Sequence, residues 1–171
     1  MQCVKARVHR NAIRDHALFA LIVNTGIRPS EALAVSRGDI RMGAHENTLR
    51  VKRLKSGPED RFDTLVLTDG LAGLLRLRLR QIDQAPQSKL FPMGERQAQR
   101  VFHYYAHKAG ITRRARLYIL RHTAATRMYR STRNIALVQA MLGHKSPDTT
   151  AIYAHIPGDV LRATAETLQG A

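Results

Sequence analysis

The spacing of apolar side chains predicts a chain built mainly from helices. Residues 11–24 repeat apolar positions at intervals of three and four, which is typical of an amphipathic helix. Gly26 lies just past this segment as a helix stop, and Pro29 suits the start of a short second helix from Ser30 to Ser36. Later helices are predicted at 95–109, 118–130, 134–142, 147–154 and 158–168.

Two other segments alternate with the period of a β-strand. From Thr48 to Arg53 apolar side chains alternate with basic and polar ones, which predicts a half-exposed strand, and Phe62 to Thr68 is a second β-prone run. Residues 54–61 between them include Ser-Gly-Pro and predict a hairpin with a long basic tip. Ile40 to Met42 is expected to add a third strand at the edge of the sheet.

The segment from Leu71 to Ile82 carries both periods. Three arginines alternate with three leucines, as in a strand, yet five apolar side chains also share one helical face. Its length favours a helix. Residues 85–94 contain two prolines and are expected to form a loop. The predicted fold class is therefore mainly α (α+β), with a small antiparallel three-stranded sheet in one domain of 171 residues.

The charge balance indicates a polyanionic partner. Lys and Arg number 28 against 13 acidic residues, which gives a net charge of +15 and a pI near 11.2. Nucleic acid fits this excess best, and an anionic membrane surface fits it less well. The apolar runs are shorter than the roughly 20 residues of a membrane span. Since the single Cys3 has no internal disulfide partner, a reducing compartment, the cytoplasm, is expected.

Several short motifs place reactive side chains at separate points of the chain. Arg28 and Arg121 each supply a planar fork of N–H donors that matches phosphate oxygens. Tyr153 supplies a phenol that can attack a phosphate and hold it covalently. Together these suggest DNA strand transfer without a metal. The motifs are Thr25–Leu33 (TGIRPSEAL), Leu54–Gly57 (LKSG), Tyr118–Thr123 (YILRHT), Leu142–His144 (LGH) and Tyr153.

In this order and spacing the motifs resemble the catalytic domain of the tyrosine recombinases, the phage integrase family. The resemblance covers nearly the whole chain. It implies that residues 1–171 form one tyrosine recombinase catalytic domain, with the fold predicted above. Many members also carry an N-terminal DNA-gripping domain. The first motif begins about two dozen residues from Met1, so residues 1–171 are expected to lack this domain, either as an excised fragment or as a single-domain member that grips DNA poorly alone.

The resemblance also implies a role for each matched residue. Arg28 and Arg121 would hold the scissile phosphate. Lys55 on the hairpin would protonate the departing 5′ oxygen, and His144 would hydrogen-bond the phosphate or that oxygen. Tyr153 would attack the phosphorus, leaving a 3′-phosphotyrosine and a 5′ hydroxyl, and a later 5′ hydroxyl would reverse the step.

Three further matched positions have supporting or open roles. Glu31 is implied to hold the polar network of the site, and His122 to pack behind it. Tyr118 stands where the family usually has histidine, so its part in proton transfer is open between a site role and simple packing. Tyr118 and Arg121 are three residues apart and are expected to share a helical face.

Cations around the hairpin are expected to bind DNA. These are Lys52, Arg53 and Arg61. Lys52 and Arg53 also compete with Lys55 for the part of general acid. His103 and His107 have the i, i+4 spacing of metal ligands, but no Glu follows His103. No metal and no cofactor is therefore expected.

The resemblance sets the expected partner and assembly. The partner is double-stranded DNA, and no membrane is expected. The protein would be a monomer without DNA and a cyclic tetramer on recombination sites, where the helix at 158–168 is open between packing on its own domain and docking on a neighbour. The leading function is site-specific recombination. The alternatives are a DNA-binding regulator that no longer cuts and a type IB topoisomerase-like enzyme.

Overall fold

A computed structural model describes residues 11–53, 61–111 and 115–143. The predicted helices at 147–154 and 158–168 and the hairpin tip lie outside the described residues. Within the described residues, no helix is long and apolar enough to cross a membrane. The elements are α1 (Ala12–Thr25), α2 (Pro29–Ala34), a 3-10 turn (Arg37–Asp39), β1 (Ile40–Met42), β2 (Asn47–Arg53), β3 (Arg61–Leu67), α3 (Asp69–Leu79), α4 (Glu95–Lys108), α5 (Ile119–Thr132) and α6 (Ile135–Leu142).

These elements confirm the predicted fold class. The strands form one antiparallel sheet in the order β1-β2-β3, and the predicted edge strand pairs Ile40 with Leu49. In β2 the side chains of Asn47, Leu49, Val51 and Arg53 are buried, while Arg50 and Lys52 are exposed. The alternation seen in the sequence therefore sets which face of the sheet lies against the helices.

The first helix ends where the sequence predicts. Gly26 has φ 68°, and its N–H donates to the carbonyl of Ile22 at 2.8 Å. The second helix instead ends at Ala34, two residues before the predicted end. Val35 is extended and buried, and its carbonyl accepts a hydrogen bond from the Leu90 N–H at 3.0 Å. This pairing with the segment before α4 ends the helix early.

The boundary after β3 also differs from the prediction. Thr68, predicted as the last strand residue, is the N-cap of α3, and its hydroxyl accepts from the Leu71 N–H. The segment from Leu71 to Ile82, whose two periods left its structure ambiguous, is mainly helical, as its length favoured. Its alternating arginines differ in burial. Leu77 is exposed, while Arg78 is buried and its Nε donates to the Leu90 carbonyl at 2.8 Å.

The main core surrounds α1. Leu18, Leu21 and Ile22 are fully buried, and Phe19 packs edge-on to Phe102 with ring centroids 5.4 Å apart. A smaller apolar cluster joins α5 to α6. It consists of Ala124, Met128, Val138 and Leu142, with Ala125 and Met141 packed against it. The junction between the two clusters lies at Gly26, and this places the end of α1 beside α5 and α6.

Substitution of Gly26 by alanine tests this junction. A Cβ at Gly26 would lie 2.6 Å from Leu142 Cδ2, and the left-handed φ of 68° disfavours any side chain. The left-handed conformation costs about 1–2 kcal/mol and overpacking about 1–3 kcal/mol. We therefore expect Gly26→Ala to lower the free energy of unfolding by about 2–5 kcal/mol in urea titrations.

The matched control is Gly73→Ala in α3. A Cβ there meets no atom within 4 Å, so the better helix former should raise the free energy of unfolding by about 0.5–1 kcal/mol. Equal effects of the two substitutions would contradict the close approach of α6 to Gly26.

Candidate active site

Arg121 is the most deeply buried cation of the site. It lies in the first turn of α5 with 2% of its surface exposed. Its Nη1 donates to the carbonyl of Gly26 at 2.6 Å, and its Nη2 donates to the carbonyl of Leu142 at 3.1 Å. Both carbonyls lie at C-terminal ends of helices, where the partial charge is negative and favours a cation. Arg121 therefore joins the end of α1 to the end of α6.

Arg28 is held two residues beyond the first of those carbonyls. It has an extended backbone before Pro29, as a residue preceding proline prefers, and it begins α2. The buried carboxylate of Glu31 accepts from its guanidinium Nη1 at 2.8 Å and from its backbone N–H at 2.9 Å. The Arg28 side chain remains 22% exposed. The Glu31 carboxylate thus holds Arg28 by two hydrogen bonds.

Arg53 lies inside this network. It was predicted to bind DNA from the hairpin, but its side chain is only 3% exposed. Its Nη1 donates to Glu31 Oε2 at 3.1 Å, and its Nε donates to Asp63 Oδ2 at 2.7 Å. The strand period could have shown this, because Arg53 follows Val51 by two residues and so lies on the buried face of β2.

The glycine that ends α6 allows Arg53 to approach. Gly143 has φ 67°, and a Cβ built there would lie 2.8 Å from Arg53 Cζ. The Arg53 guanidinium therefore packs directly against the backbone of Gly143. Through these contacts the strand β2, the start of α2 and the end of α6 meet at one side chain.

The cations of the site influence each other. Burial lowers the pKa of the Arg121 guanidinium, and the positive charge of Arg28 lowers this pKa further. The charge of Arg53 acts in the same direction, whereas Tyr118 and Glu31 act against it. An arginine remains charged in proteins despite such shifts. The cluster thus holds positive charges close together, and a bound anion would relieve their repulsion.

Tyr118 and His122 lie at the start of α5. Tyr118 is one helical turn before Arg121 and interacts with it electrostatically, although Tyr118 is 42% exposed and Arg121 is buried. Its ring packs edge-on to that of His122, with centroids 5.0 Å apart. His122, predicted to pack behind the site, is exposed, because it follows the inward-facing Arg121 and points away from the core.

A surface cleft of about 800 Å³ opens beside Arg28. Its walls come from the start of α2, from α4 and from the segment before α5. Gln99 joins the last two, since its amide donates to the Ala115 carbonyl and its oxygen accepts from the Leu117 N–H. The lining residues are Arg28, Pro29, Ser30, Glu95, Arg96, Gln99, His103, Arg116, Leu117 and Tyr118.

The sequence motifs did not point to Arg96, Gln99 or Arg116, because their alignment along the cleft depends on how α4 packs. Both arginines are exposed. His103 lies in the wall of the same cleft. Over the ranges 11–53, 61–111 and 115–143, no cluster of three His, Cys, Asp or Glu side chains could hold a metal ion.

The remaining predicted residues divide into two groups. Lys52 is exposed on β2, and Arg61 is partly buried, with its Nε 3.3 Å from Asp63 Oδ1. Lys55, His144 and Tyr153 lie outside the described residues. The structure therefore brings together Arg28, Glu31 and Arg121, and the roles of Lys55, His144 and Tyr153 stay predictions.

Comparison with known protein sequences identifies the family of this chain. The profile of the phage integrase family matches residues 1–158. Tyrosine recombinase XerH of Campylobacter jejuni is 30% identical over 162 residues, which is 91% of this chain and 45% of that protein. Tyrosine recombinase XerA of Saccharolobus solfataricus is 34% identical over 149 residues, 87% of this chain and 48% of that protein. The chain spans about half the length of these curated relatives.

Solved structures show the same fold. The XerH site-specific recombinase bound to difH substrate, in a pre-cleavage complex, has a TM-score of 0.68 and 26% identity, covering 87% of this chain and 44% of that one. The XerA recombinase has a TM-score of 0.64 at 24% identity, covering 94% and 58%. The match over residues 1–158, together with the arginine network and the sheet, shows that the chain belongs to the phage integrase family.

Proposed function

We propose that this chain is the catalytic domain of a site-specific DNA recombinase. It cleaves and rejoins duplex DNA through a 3′-phosphotyrosine at Tyr153. The main support is the hydrogen-bond network around the two arginines. Glu31 holds the Arg28 guanidinium, and Arg121 donates to the carbonyl of Gly26, which is two residues before Arg28 in the chain. A related structure, that of XerH bound to its difH substrate, supports DNA as the partner.

In the proposed reaction the two arginines hold the scissile phosphate. Negative charge grows on its non-bridging oxygens in the transition state, and preorganised cations stabilise that charge most when they are shielded from water. The phenolic oxygen of Tyr153 attacks phosphorus as its proton passes to water, and the bond from phosphorus to the 5′ oxygen breaks. Forming the phenolate at pH 7 costs about 4 kcal/mol, which the same cations partly offset.

The leaving oxygen takes up a proton. Lys55 is proposed as its donor, and His144 is proposed to hydrogen-bond the phosphate or the leaving oxygen. The products are a protein-bound 3′ phosphate and a 5′ hydroxyl. Attack by another 5′ hydroxyl regenerates the tyrosine and a DNA phosphodiester, so bonds are exchanged without a cofactor.

The cleft beside Arg28 is proposed to receive the DNA backbone next to the scissile phosphate. Exposed Arg96 and Arg116 line it and suit phosphate contacts, which position DNA without reading its sequence. Lys52 and Arg61, on the hairpin strands, are proposed to add contacts to the flanking DNA. Arg53 is not included among the proposed DNA contacts because its side chain is buried.

A nicked duplex tests the proposed activity. The nick lies a few nucleotides beyond the target phosphate, so the released fragment diffuses away and the covalent product accumulates. We expect a denaturant-resistant complex of protein and DNA. Binding of the duplex with no covalent product would favour the DNA-binding regulator. Relaxation of supercoiled plasmid by the monomer, with no exchange between sites, would favour the topoisomerase-like enzyme.

The proposed assembly depends on DNA. Without DNA we expect a monomer, and on paired recombination sites a cyclic tetramer. Light scattering of the protein alone and with duplex sites measures both states. A tetramer that forms without DNA would contradict this part of the proposal.

Tyr118→Phe tests the residue that stands at the usual histidine position. If the Tyr118 hydroxyl takes part in proton transfer, its loss should lower the single-turnover cleavage rate by about a hundredfold or more. The ring contact with His122 would be kept. An unchanged rate at saturating DNA would assign Tyr118 to packing, and His122→Phe serves as the comparison for the ring contact alone.

A further inference from the structure

We infer that Arg53 is a positioning residue for the proposed cleavage, acting through Glu31 on Arg28. The inference rests on the proposed function. It assigns a task to a side chain that the motifs do not include. It also separates Arg53 from its neighbour Lys52, which the sequence grouped with it as a DNA contact.

The first support is the sharing of one carboxylate. Glu31 is 1% exposed, and its Oε1 accepts from the Arg28 guanidinium. Its Oε2 accepts both from the Arg28 backbone N–H at 2.9 Å and from Arg53 Nη1 at 3.1 Å. A buried carboxylate needs such donors to remain charged and in one orientation. Arg53 thus stabilises the orientation of the group that holds Arg28.

The second support is the anchoring of Arg53 itself. Its Nε donates to Asp63 Oδ2 at 2.7 Å across the paired strands β2 and β3. Its guanidinium also fills the space where a side chain at residue 143 would lie. With a carboxylate on two sides and backbone on another, the planar fork is fixed, and lysine could not reproduce this geometry.

The third support is the position of Arg53 along the chain. Lys55 follows it by two residues, and His144 follows Gly143, which it contacts, by one. Arg53 is therefore close in the chain to the proposed proton donor Lys55, and it contacts the residue that precedes the proposed hydrogen-bonding residue His144. Displacing it is expected to disturb the reacting geometry without removing a contact to DNA, since the side chain is 3% exposed.

Arg53→Met and Lys52→Met form a matched pair on adjacent positions of one strand. Misplacement of a reacting group by about 1 Å costs about a hundredfold in rate, so Arg53→Met should slow single-turnover cleavage at saturating DNA by about that factor. Its Kd for the duplex should stay near the wild-type value. Lys52→Met should weaken binding and reduce the salt dependence by about one phosphate contact. The control for the rate is Arg41→Met, which removes an exposed arginine of β1 outside the proposed site and should leave the rate at saturating DNA unchanged.

A double-mutant cycle shows whether Arg53 acts through Glu31. If it does, the variant carrying both Glu31→Gln and Arg53→Met should be no slower than the slower of the two single variants. Multiplied losses would overturn the proposed route. Arg53→Lys keeps the charge but lacks the planar guanidinium, so it should recover only part of the cleavage rate. If Arg53→Met does not fold, Arg53→Lys replaces it in this test.

The outcomes also separate this inference from the proposed function. If the wild-type protein forms no covalent product, both fail together. If the wild type is active while Arg53→Met cleaves at the wild-type rate, only the inference about Arg53 fails. A selective loss of affinity in Arg53→Met would return Arg53 to the set of DNA contacts and overturn the positioning role.

Discussion

Tyr153→Phe is expected to form no covalent complex with a nicked duplex. The substitution removes one oxygen atom, and that oxygen is the proposed nucleophile, so no bond to phosphorus can form. The aromatic ring is kept, and binding of the same duplex should therefore be close to that of the wild type. Denaturing gel electrophoresis measures the covalent product, and a gel shift at the same salt concentration measures binding.

The control for this prediction is Tyr129→Phe. Tyr129 lies on α5, is 44% exposed, and belongs to none of the matched motifs. It loses the same oxygen and should keep full activity. A covalent product that persists in Tyr153→Phe would show that another residue is the nucleophile, and peptide mapping of the product would identify it.

Arg121→Met should have the second-largest effect. Loss of a single preorganised donor to a developing oxyanion lowers a rate by about a hundredfold to a thousandfold, and we expect the single-turnover rate to fall to this extent. The change also leaves the carbonyls of Gly26 and Leu142 without their partner. Each unsatisfied buried carbonyl costs about 1–3 kcal/mol, so the free energy of unfolding should fall as well.

Two controls separate catalysis from folding. Arg130→Met removes an equal charge from an exposed position of the same helix and should leave the rate at saturating DNA unchanged. Arg28→Met removes the partner cation from a side chain that is 22% exposed. It should lose a similar factor in rate with a smaller loss of stability. Equal rate losses in Arg28→Met and Arg130→Met would contradict the special position of the two clamp arginines.

Local periodicity predicted most of the fold. The alternation in β2, the glycine that ends α1 and the helical state of α3 each rest on interactions within a few residues, and the structure confirms them. Three boundaries differ from the prediction. Val35 leaves helical geometry to pair with the distant Leu90. Thr68 caps α3 through the nearby Leu71 instead of continuing β3, and α3 ends at Leu79, before the predicted Ile82.

The site was predictable only in part because residues that are distant in the chain meet there. Gly26 and Arg121 are 95 positions apart, and their proximity was expected from the resemblance of the motifs, not from spacing. The cleft residues Arg96 and Arg116 carry no motif and are aligned by packing of α4 against the segment before α5. The prediction that Arg53 binds DNA rests on its charge, whereas its position on the buried face of β2 decides its partners.

The central claim is that Arg28 and Arg121 converge on one phosphate and stabilise its negative charge. Cleavage of a duplex with a single neutral methylphosphonate at the scissile position tests this most directly, because that group lacks the charge the arginines are proposed to hold. On this duplex Arg28→Met and Arg121→Met should lose far less activity, relative to the wild type, than they lose on the natural phosphate. Equal fold losses on the two duplexes would contradict the account.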